Sequence, residues 1–449
     1  MSLTPEEMAL VKGLVKKLKS HDHRNEVLEK YYEGKQRIKD FNISIPPQLR
    51  LVESVVGWAG TAVQVMEERL DFEGFIAPDT LGLQDVYRAN DLDVESSLGH
   101  IDSLVFGTGF VVVGTGQDGE ANPLITMESP KRMTGIYDLR TRRLSAALSC
   151  DRDDMGNPLM GTLYLPNETI TLIFDEKGHA LDVNRDVHNR NRVPVVSLAN
   201  NPRSSNPHGR SEISPAVISY TDSAMRTLLG AEVAREFYGA PQRYILGADP
   251  ETFEDSDGNP TDAWKVYQGR VLGVPVNSEG QIPQVGQFQA NDTRPYFEQL
   301  RAYAQMLSAE TAIPASYLGF QTDNPASADA IRQMEARLIK RAERRQKQFG
   351  RGWVEVGRLA LLWRDGVIPE EAANIRAQWR DASTPTRSAS ADEAVKLIGA
   401  GVLTPDSEIT YRRIGLSDTE KQVLDAEKAT ARASQVVSDL LKQSGPATQ

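Results

Sequence analysis

The 449-residue sequence predicts an α+β protein that is mainly helical, and three observations lead there. The opening stretch "TPEEMALVKGLVKKLKSHDHRNEVLEKYYEG" is acidic first and lysine-bearing later, the polarity that complements a helix dipole. A middle tract holds β-branched and aromatic runs, "FVVVGTG" and "TLYLPNETITLIFDEKGHALDV" among them, broken by Gly, Asn and Asp as hairpins require. From Ser211 onward the helical spacing returns and persists almost to the end.

Taken in order, residues 4 to 70 read as helices interrupted at Pro46 and Pro47, resuming with Leu51, Val55, Trp58, Ala62 and Met66 at intervals of three and four. "RVPVVSLANNPR" reads as a buried strand followed by a turn. Residues 211 to 238 form a helix of roughly 40 Å at about 1.5 Å per residue, capped by Ser211 or Ser214 with Pro215 in its first turn. Residues 240 to 290 make a small β insertion with an acidic turn, "DPETFEDSDGNPTDAW", and a β-like "VYQGRVLGVPV". A second helix over "RPYFEQLRAYAQMLSAETA" follows, so two helices bracket the insertion. The polar loop "GFQTDNPASADAIR" then heads a long helix that runs to about Trp363, roughly 55 Å, with Asn324 and Pro325 or Ser327 as its cap. Gly350, Gly352 and Gly357 predict a kink or break in it. "NIRAQWRD" is a short return strand, "ASTPTRSAS" a connector, and residues 389 to 443 helices with turns at "GAGVLTPDSE" and "GLSDTE".

Composition narrows the function. With 40% hydrophobic and 25% charged residues the chain should fold, and it has core enough for two to four domains. No segment approaches the roughly 18 apolar residues of a membrane span, and the start lacks the layout of a signal peptide, so a cytosol-like compartment is expected. The single cysteine, Cys150, excludes an internal disulfide and a multi-cysteine zinc site, which points to packing or oligomerisation for stability. A net charge of −11 argues against gripping nucleic acid over the whole surface but not against letting DNA slide past.

Chemical motifs fail on inspection. "GTGFVVVGTG" has Val112 where a dinucleotide fingerprint needs glycine and Thr115 where a phosphate loop needs lysine. "DSDGN" would put Phe253 and Trp264 at calcium-ligand positions. Ser211 follows Gly209 as in a nucleophile elbow, but Ile213 replaces the second glycine. The acidic cluster from Asp249 to Asp262 could serve a metal-dependent nuclease only with partners the sequence does not supply, and His21 and His23 read as exposed. We therefore expect no enzyme, no cofactor and no metal. One stretch stands out: Arg337, Arg341, Arg344 and Arg351 recur at helical spacing beside an apolar line of Ile331, Met334, Leu338 and Ala342. Those arginines either meet carboxylates of their own chain or face a neighbouring subunit or a DNA backbone.

The chain resembles the portal proteins of tailed bacteriophages of the siphophage type. The resemblance is carried in order by "YYEGKQ", "GTGFVVV", "VPVVSLANNPRSSNPHGRSEI", "AIPASYLGFQTDNPASADAIR" and "ADEAVKLIGAGVLTPDSE". It implies a ring, a dodecamer, at one capsid vertex, through which double-stranded DNA is packaged and ejected. It implies a wing at 1–207, a first stem helix at 208–239, a clip at 240–290, a second stem helix at 291–312 and a tunnel loop at 313–328. A long kinked helix and return strand at 329–388 and a crown at 389–449 complete that division. Gln321, Thr322, Asp323 and Asn324 would face the DNA, and Glu254, Asp255 and Asp257 would meet a clip partner. Large terminase, major capsid protein, a head-tail adaptor and a scaffolding protein are the implied partners, in a virion assembled in the host cytoplasm. The alternatives are a head-assembly adaptor that never contacts DNA and, more distantly, the nuclease.

Overall fold

The computed structural model describes residues 3–37, 55–153, 155–175, 180–238, 243–249, 254, 274–287, 292–320, 328–383, 387–416 and 418–443. The first helix, α1 (Pro5–Tyr32), begins where the sequence places it, in a capping box: Thr4 Oγ1 accepts from the Glu7 amide at 3.2 Å, and Glu7 accepts from the Thr4 amide at 2.8 Å. Glu7 also takes the Arg185 guanidinium at 2.5 and 2.8 Å, and that hydrogen bond holds its carboxyl down at about 2. α1 lays Val11, Leu14 and Leu18 on a five-stranded antiparallel meander of β4 (Met133–Asp138), β5 (Arg143–Arg152), β6 (Pro158–Tyr164), β7 (Glu168–Phe174) and β8 (Ala180–Val187). Leu148, Cys150, Leu163, Ile170 and Leu172 alternate inward to meet it, so the lone cysteine is a core residue.

A second sheet orders β3 (Leu124–Glu128), β2 (Thr108–Gly114) and β9 (Val195–Ala199), all antiparallel. Phe110 and Val195 from this sheet pack against Met133, Leu144 and Ala147 of the meander, which joins the sheets through an apolar core. α4 (Leu92–Phe106) covers the second sheet closely: a Cβ at Gly99 would stand 2.9 Å from Met127 Sδ. α2 (Trp58–Glu67), β1 (Phe72–Ile76) and α3 (Leu83–Ala89) precede it. The sequence pattern misses β1, which becomes a strand only because the distant β12 (Arg376–Trp379) pairs with it. α2 starts at Trp58 and Val55, expected on the apolar face of the helix there, is exposed, while Leu51 lies outside the described residues.

α5 (Pro215–Tyr238) and α6 (Arg294–Thr311) run antiparallel: Ser214 meets Glu310 at 3.3 Å at one end, and Gly230 faces the Tyr296 ring at the other. Between them lies the two-stranded hairpin of β10 (Arg243–Leu246) and β11 (Gln284–Gln287). Ser214, not Ser211, caps α5, its hydroxyl accepting from the Val217 amide at 3.3 Å.

The long helix α7 (Ala328–Asp365) spans 38 residues without a break, which corrects the interruption expected from its glycines. Those glycines are close-approach points instead. A Cβ at Gly352 would stand 2.5 Å from Leu198 Cδ2, and one at Gly350 would stand 3.1 Å from Trp379 Nε1. The strands crowd the helix there, and the buried side chains around the glycines hold it in register. Trp353 is the centre of that packing, stacked on Phe72 at 4.5 Å and donating from Nε1 to His100 Nε2 at 2.9 Å. Of the expected apolar line, Leu338 and Ala342 are fully buried, Met334 is 51% exposed, and the side chain of Ile331 lies outside those described.

Residues Met1–Arg380 form one compact unit and Asp381–Gln449 a second. The second contains α8 (Arg387–Gly399), α9 (Glu408–Ile414) and α10 (Asp418–Gln443), with Ser407 capping α9. The stretch "ASTPTRSAS" does follow directly on the boundary between the two units, as a connector should, and its described end from Arg387 already belongs to a helix.

Candidate functional site

The site grows from the turn "NNPRSSNPHGRSEI". Gly209 sits at φ +80°, and a Cβ there would come within 2.4 Å of the carbonyl oxygens of Asn200 and Gly107, so only glycine fits. Asn200 is fully buried and donates to the Arg210 carbonyl at 2.7 Å and to Glu212 at 3.2 Å. The turn thereby aims Glu212 inward, where Arg345 donates to it at 2.5 and 3.1 Å and Arg341 at 2.7 Å. Burial alone would raise the Glu212 carboxyl, but Arg345 and Arg341 outweigh it and hold it below the ordinary carboxylate value.

Arg337, Arg341 and Arg345 stand four residues apart on one face of α7, and each is used within the chain. Arg337 donates to the Ala309 carbonyl and Arg341 to the Glu310 carbonyl, both at 2.8 Å. These carbonyls belong to the last turn of α6, where no further helical amide follows to donate to them and the dipole is negative. The guanidiniums satisfy both needs at once and fasten α7 across the end of the helix pair.

Beyond that point the chain turns toward the loop. Ala312 takes a left-handed conformation at φ +64°, Ile313 is buried, and a single turn over Ala315–Leu318 buries Leu318. Phe320 sets its ring edge against Trp58 at 6.4 Å. On the far side of the loop, Glu335 accepts from Tyr317 Oη, and Arg69 Nη2 lies 3.4 Å from both groups. Burial first, and the Glu335 hydrogen bond second, push the Tyr317 phenol up. The residues on either side of 321–327 are thus tied to each other and to the body.

Gln321, Thr322, Asp323 and Asn324 lie outside the described residues, as do Pro325, Ser327, Asp255 and Asp257. Glu254 is described and exposed. Arg351 donates to Tyr137 Oη at 2.9 Å and to the Arg142 carbonyl at 3.2 Å. Arg344 is exposed, with no ion-pair partner among the described residues. Sequence reading missed Glu212, Arg345, Arg69, Tyr317 and Glu335. Arg345 was within reach, since it continues the spacing of Arg337 and Arg341, but its carboxylate lies 133 positions away in the chain. Among the described residues no three His, Cys, Asp or Glu side chains gather as a metal site.

A family model for phage portal proteins of the SPP1 Gp6-like type matches residues 15–435. A portal protein of Mycobacterium phage D29 is 35% identical over 415 residues, covering 89% of this chain and 84% of that protein. One from Mycobacterium phage L5 is likewise 35% identical over 415 residues, with the same 89% and 84% coverage. A solved virion of a native gene transfer agent particle contains a chain similar at a TM-score of 0.44 and 14% identity, covering 80% of this chain and 89% of that one. That last likeness is too loose to fix any feature of this molecule.

Proposed function

This chain belongs to the SPP1 Gp6-like family of phage portal proteins, and from that premise we propose that its copies close into a ring, a dodecamer, at one vertex of a tailed-phage capsid and conduct double-stranded DNA. In this reading residues 1–207 are the wing, 208–239 and 291–312 the stem, 240–290 the clip, 313–328 the tunnel loop, 329–388 the long helix with its return strand, and 389–449 the crown. The ring is part of the virion, assembled in the host cytoplasm. Its clip, including Glu254, Asp255 and Asp257, meets the packaging terminase or a head-tail adaptor, its rim meets the major capsid protein, and scaffolding protein assists assembly.

The observation that carries this is the tied loop. Residues 321–327 leave from one end of an antiparallel helix pair whose opposite end bears the β10–β11 hairpin, and Tyr317, Glu335 and Arg69 fasten both sides of the loop at its base. A loop so held can project into a channel without loosening the helices behind it. The electrostatics agree. Cationic contacts repeated around a ring would act as a brake on DNA by avidity. Here Arg337 and Arg341 are occupied by backbone carbonyls and Glu212 instead. Gln321, Thr322, Asp323 and Asn324 then offer the passing duplex polar groups and a carboxylate, with no cation among them.

Two measurements test the reading. Imaging of the assembled particle should show a closed ring of this chain at one vertex; monomers or dimers under every condition, with capsid partners present, would sink it. A Gln321→Cys chain should cross-link to packaged DNA, and absence of any adduct from intact particles would favour an assembly adaptor that never touches DNA.

A further inference from the structure

A cleft of about 1750 Å³ opens between the β4–β5 turn, the edge of β9 and the middle of α7. Nine arginines and lysines line it against three carboxylates, Asp138, Glu343 and Glu355. Glu355 is already shared by Arg143 at 2.7 Å and Arg192 at 2.5 Å. Asp138 closes its own turn onto Arg140 and Thr141, and Glu343 pairs with Lys340 at 2.9 Å. Among the described residues, Arg142, Arg203, Arg344 and Lys347 have no carboxylate partner, and Arg351 and Arg376 donate only to neutral oxygens. All six are exposed. The cleft therefore holds a surplus of six positive charges in a chain of net charge −11, which leaves −17 for the rest of the molecule.

The same unit carries a matching surface. At the start of α4, Asp91, Asp93 and Glu95 have no ion pair among the described residues, and Val94 and Leu98, four apart on the outward face, are 62% and 51% exposed. No residue of this shoulder lines the cleft. Acids in a first turn complement the helix dipole without any partner. Two large aliphatic side chains left in water beside them do not follow from that, and together they make an acidic rim around an apolar centre.

We propose that the cationic cleft is the socket for a second copy of this chain, which inserts the α4 shoulder, Asp91, Asp93 and Glu95 meeting Arg142, Arg344 and Lys347 while Val94 and Leu98 are taken out of water between them. The two surfaces differ, so the contact is head-to-tail and each copy offers one of each. Such a contact propagates and closes when the rotation permits, so the inference rests on the ring reading above and names its joint. The α7 face that holds Arg344 and Lys347 would then be completed by the neighbour.

The test uses the full-length chain, with assembly followed by native mass spectrometry and sedimentation against protein concentration. Arg344→Glu with Lys347→Glu should keep the wild-type thermal midpoint, and Asp91→Lys with Asp93→Lys should lower it only slightly by setting cations against the helix dipole, yet each should raise the concentration needed for assembly by about tenfold or more. Mixing the two variants should restore assembly, because in an alternating ring every cleft meets a shoulder of opposite sign. Normal assembly by either variant alone, or no rescue on mixing, overturns the inference while the ring reading stands. A cleft variant that assembles normally but binds a short DNA duplex about tenfold more weakly overturns it in favour of nucleic acid. A wild-type chain that never forms a ring removes the ring reading and the inference with it.

Discussion

Between Phe349 and Leu362 the long helix is buried by rings and aliphatic chains, with Trp353 stacked on Phe72 and Phe349 stacked on His100. Between Glu335 and Arg345 the same helix is tied by guanidiniums, carboxylates and carbonyls. The first half is an anchor held by close packing, which has one solution and tolerates little change. The second is held by directional charged bonds to a helix end, a turn and the base of a loop, so its attachments can be altered one at a time. A single helix thus joins a rigid body to a segment whose hold is electrostatic.

The largest effects should separate the two halves. Trp353→Ala removes a fully buried indole, and equilibrium urea unfolding should register a loss of about 3–5 kcal/mol. Glu212→Ala should have a similar effect, about 3–5 kcal/mol, because it strands Arg345, whose side chain is only 3% exposed. The halves diverge on rescue. Adding Arg345→Met to a Glu212→Leu chain removes the two buried charges, leaves the part-exposed Arg341 its Glu310 carbonyl and water, and should recover most of the loss, since a buried pair and an apolar pair of similar volume differ little in stability. No second change at Arg345 should rescue Trp353→Ala. If the Glu212→Leu, Arg345→Met double variant stays as unstable as Glu212→Ala, the distinction between the halves fails.

An intermediate effect depends on pH. His100 is fully buried among Phe349, Trp353 and Trp379, and desolvation pushes its imidazole down to about 3. Its Nε2 accepts from Trp353, which assigns the proton to Nδ1. Above about pH 6.5, the ordinary histidine value, both folded and unfolded imidazoles are neutral and the contribution to stability is complete. As pH falls from there toward 3 the unfolded state gains a proton that the folded state refuses. Stability then drops by about 1.4 kcal/mol per pH unit from this group. A His100→Phe chain keeps a ring in place and should show a flatter stability profile between pH 6.5 and 3; an unchanged slope would mean that His100 is not the group responsible.

Much of the body was legible because its signals are local. The acidic-to-lysine polarity of α1, the β-branched runs of β2 and of β6 to β8, and the Ser214–Pro215 helix start each lie within a few residues of sequence. Elements that depend on distant partners were not. β1 is a strand because β12 returns some three hundred residues later, and the glycines of α7 serve a Leu198 and a Trp379 that no local pattern could supply. The arginine spacing on α7 was visible, but its targets were not, since Glu212 and the carbonyls of Ala309 and Glu310 come together only in the folded chain. The spacing alone left open whether these arginines meet their own chain or another molecule, and for Arg337 and Arg341 the chain's own helix end supplies acceptors.

The smallest predicted effect lies at the base of the loop. Tyr317 is the member of the Arg69–Tyr317–Glu335 tie whose loss removes no charge, so Tyr317→Phe deletes the hydrogen bond to the Glu335 carboxylate and the long 3.4 Å one from Arg69, and leaves the Arg69–Glu335 pair, also 3.4 Å apart, in place. With Tyr317 itself 42% exposed, water can replace part of what is lost, and global stability should fall by about 1 kcal/mol or less. The local consequence should be larger than the global one. Amide exchange around 315–320 and at the start of α7 should speed up while the amides of residues 349–362 keep their protection, because the packed half of the helix does not depend on this tie. Equal acceleration in both halves would mean that the helix opens as one unit, and the division between a packed anchor and an electrostatically held loop base would have to be given up.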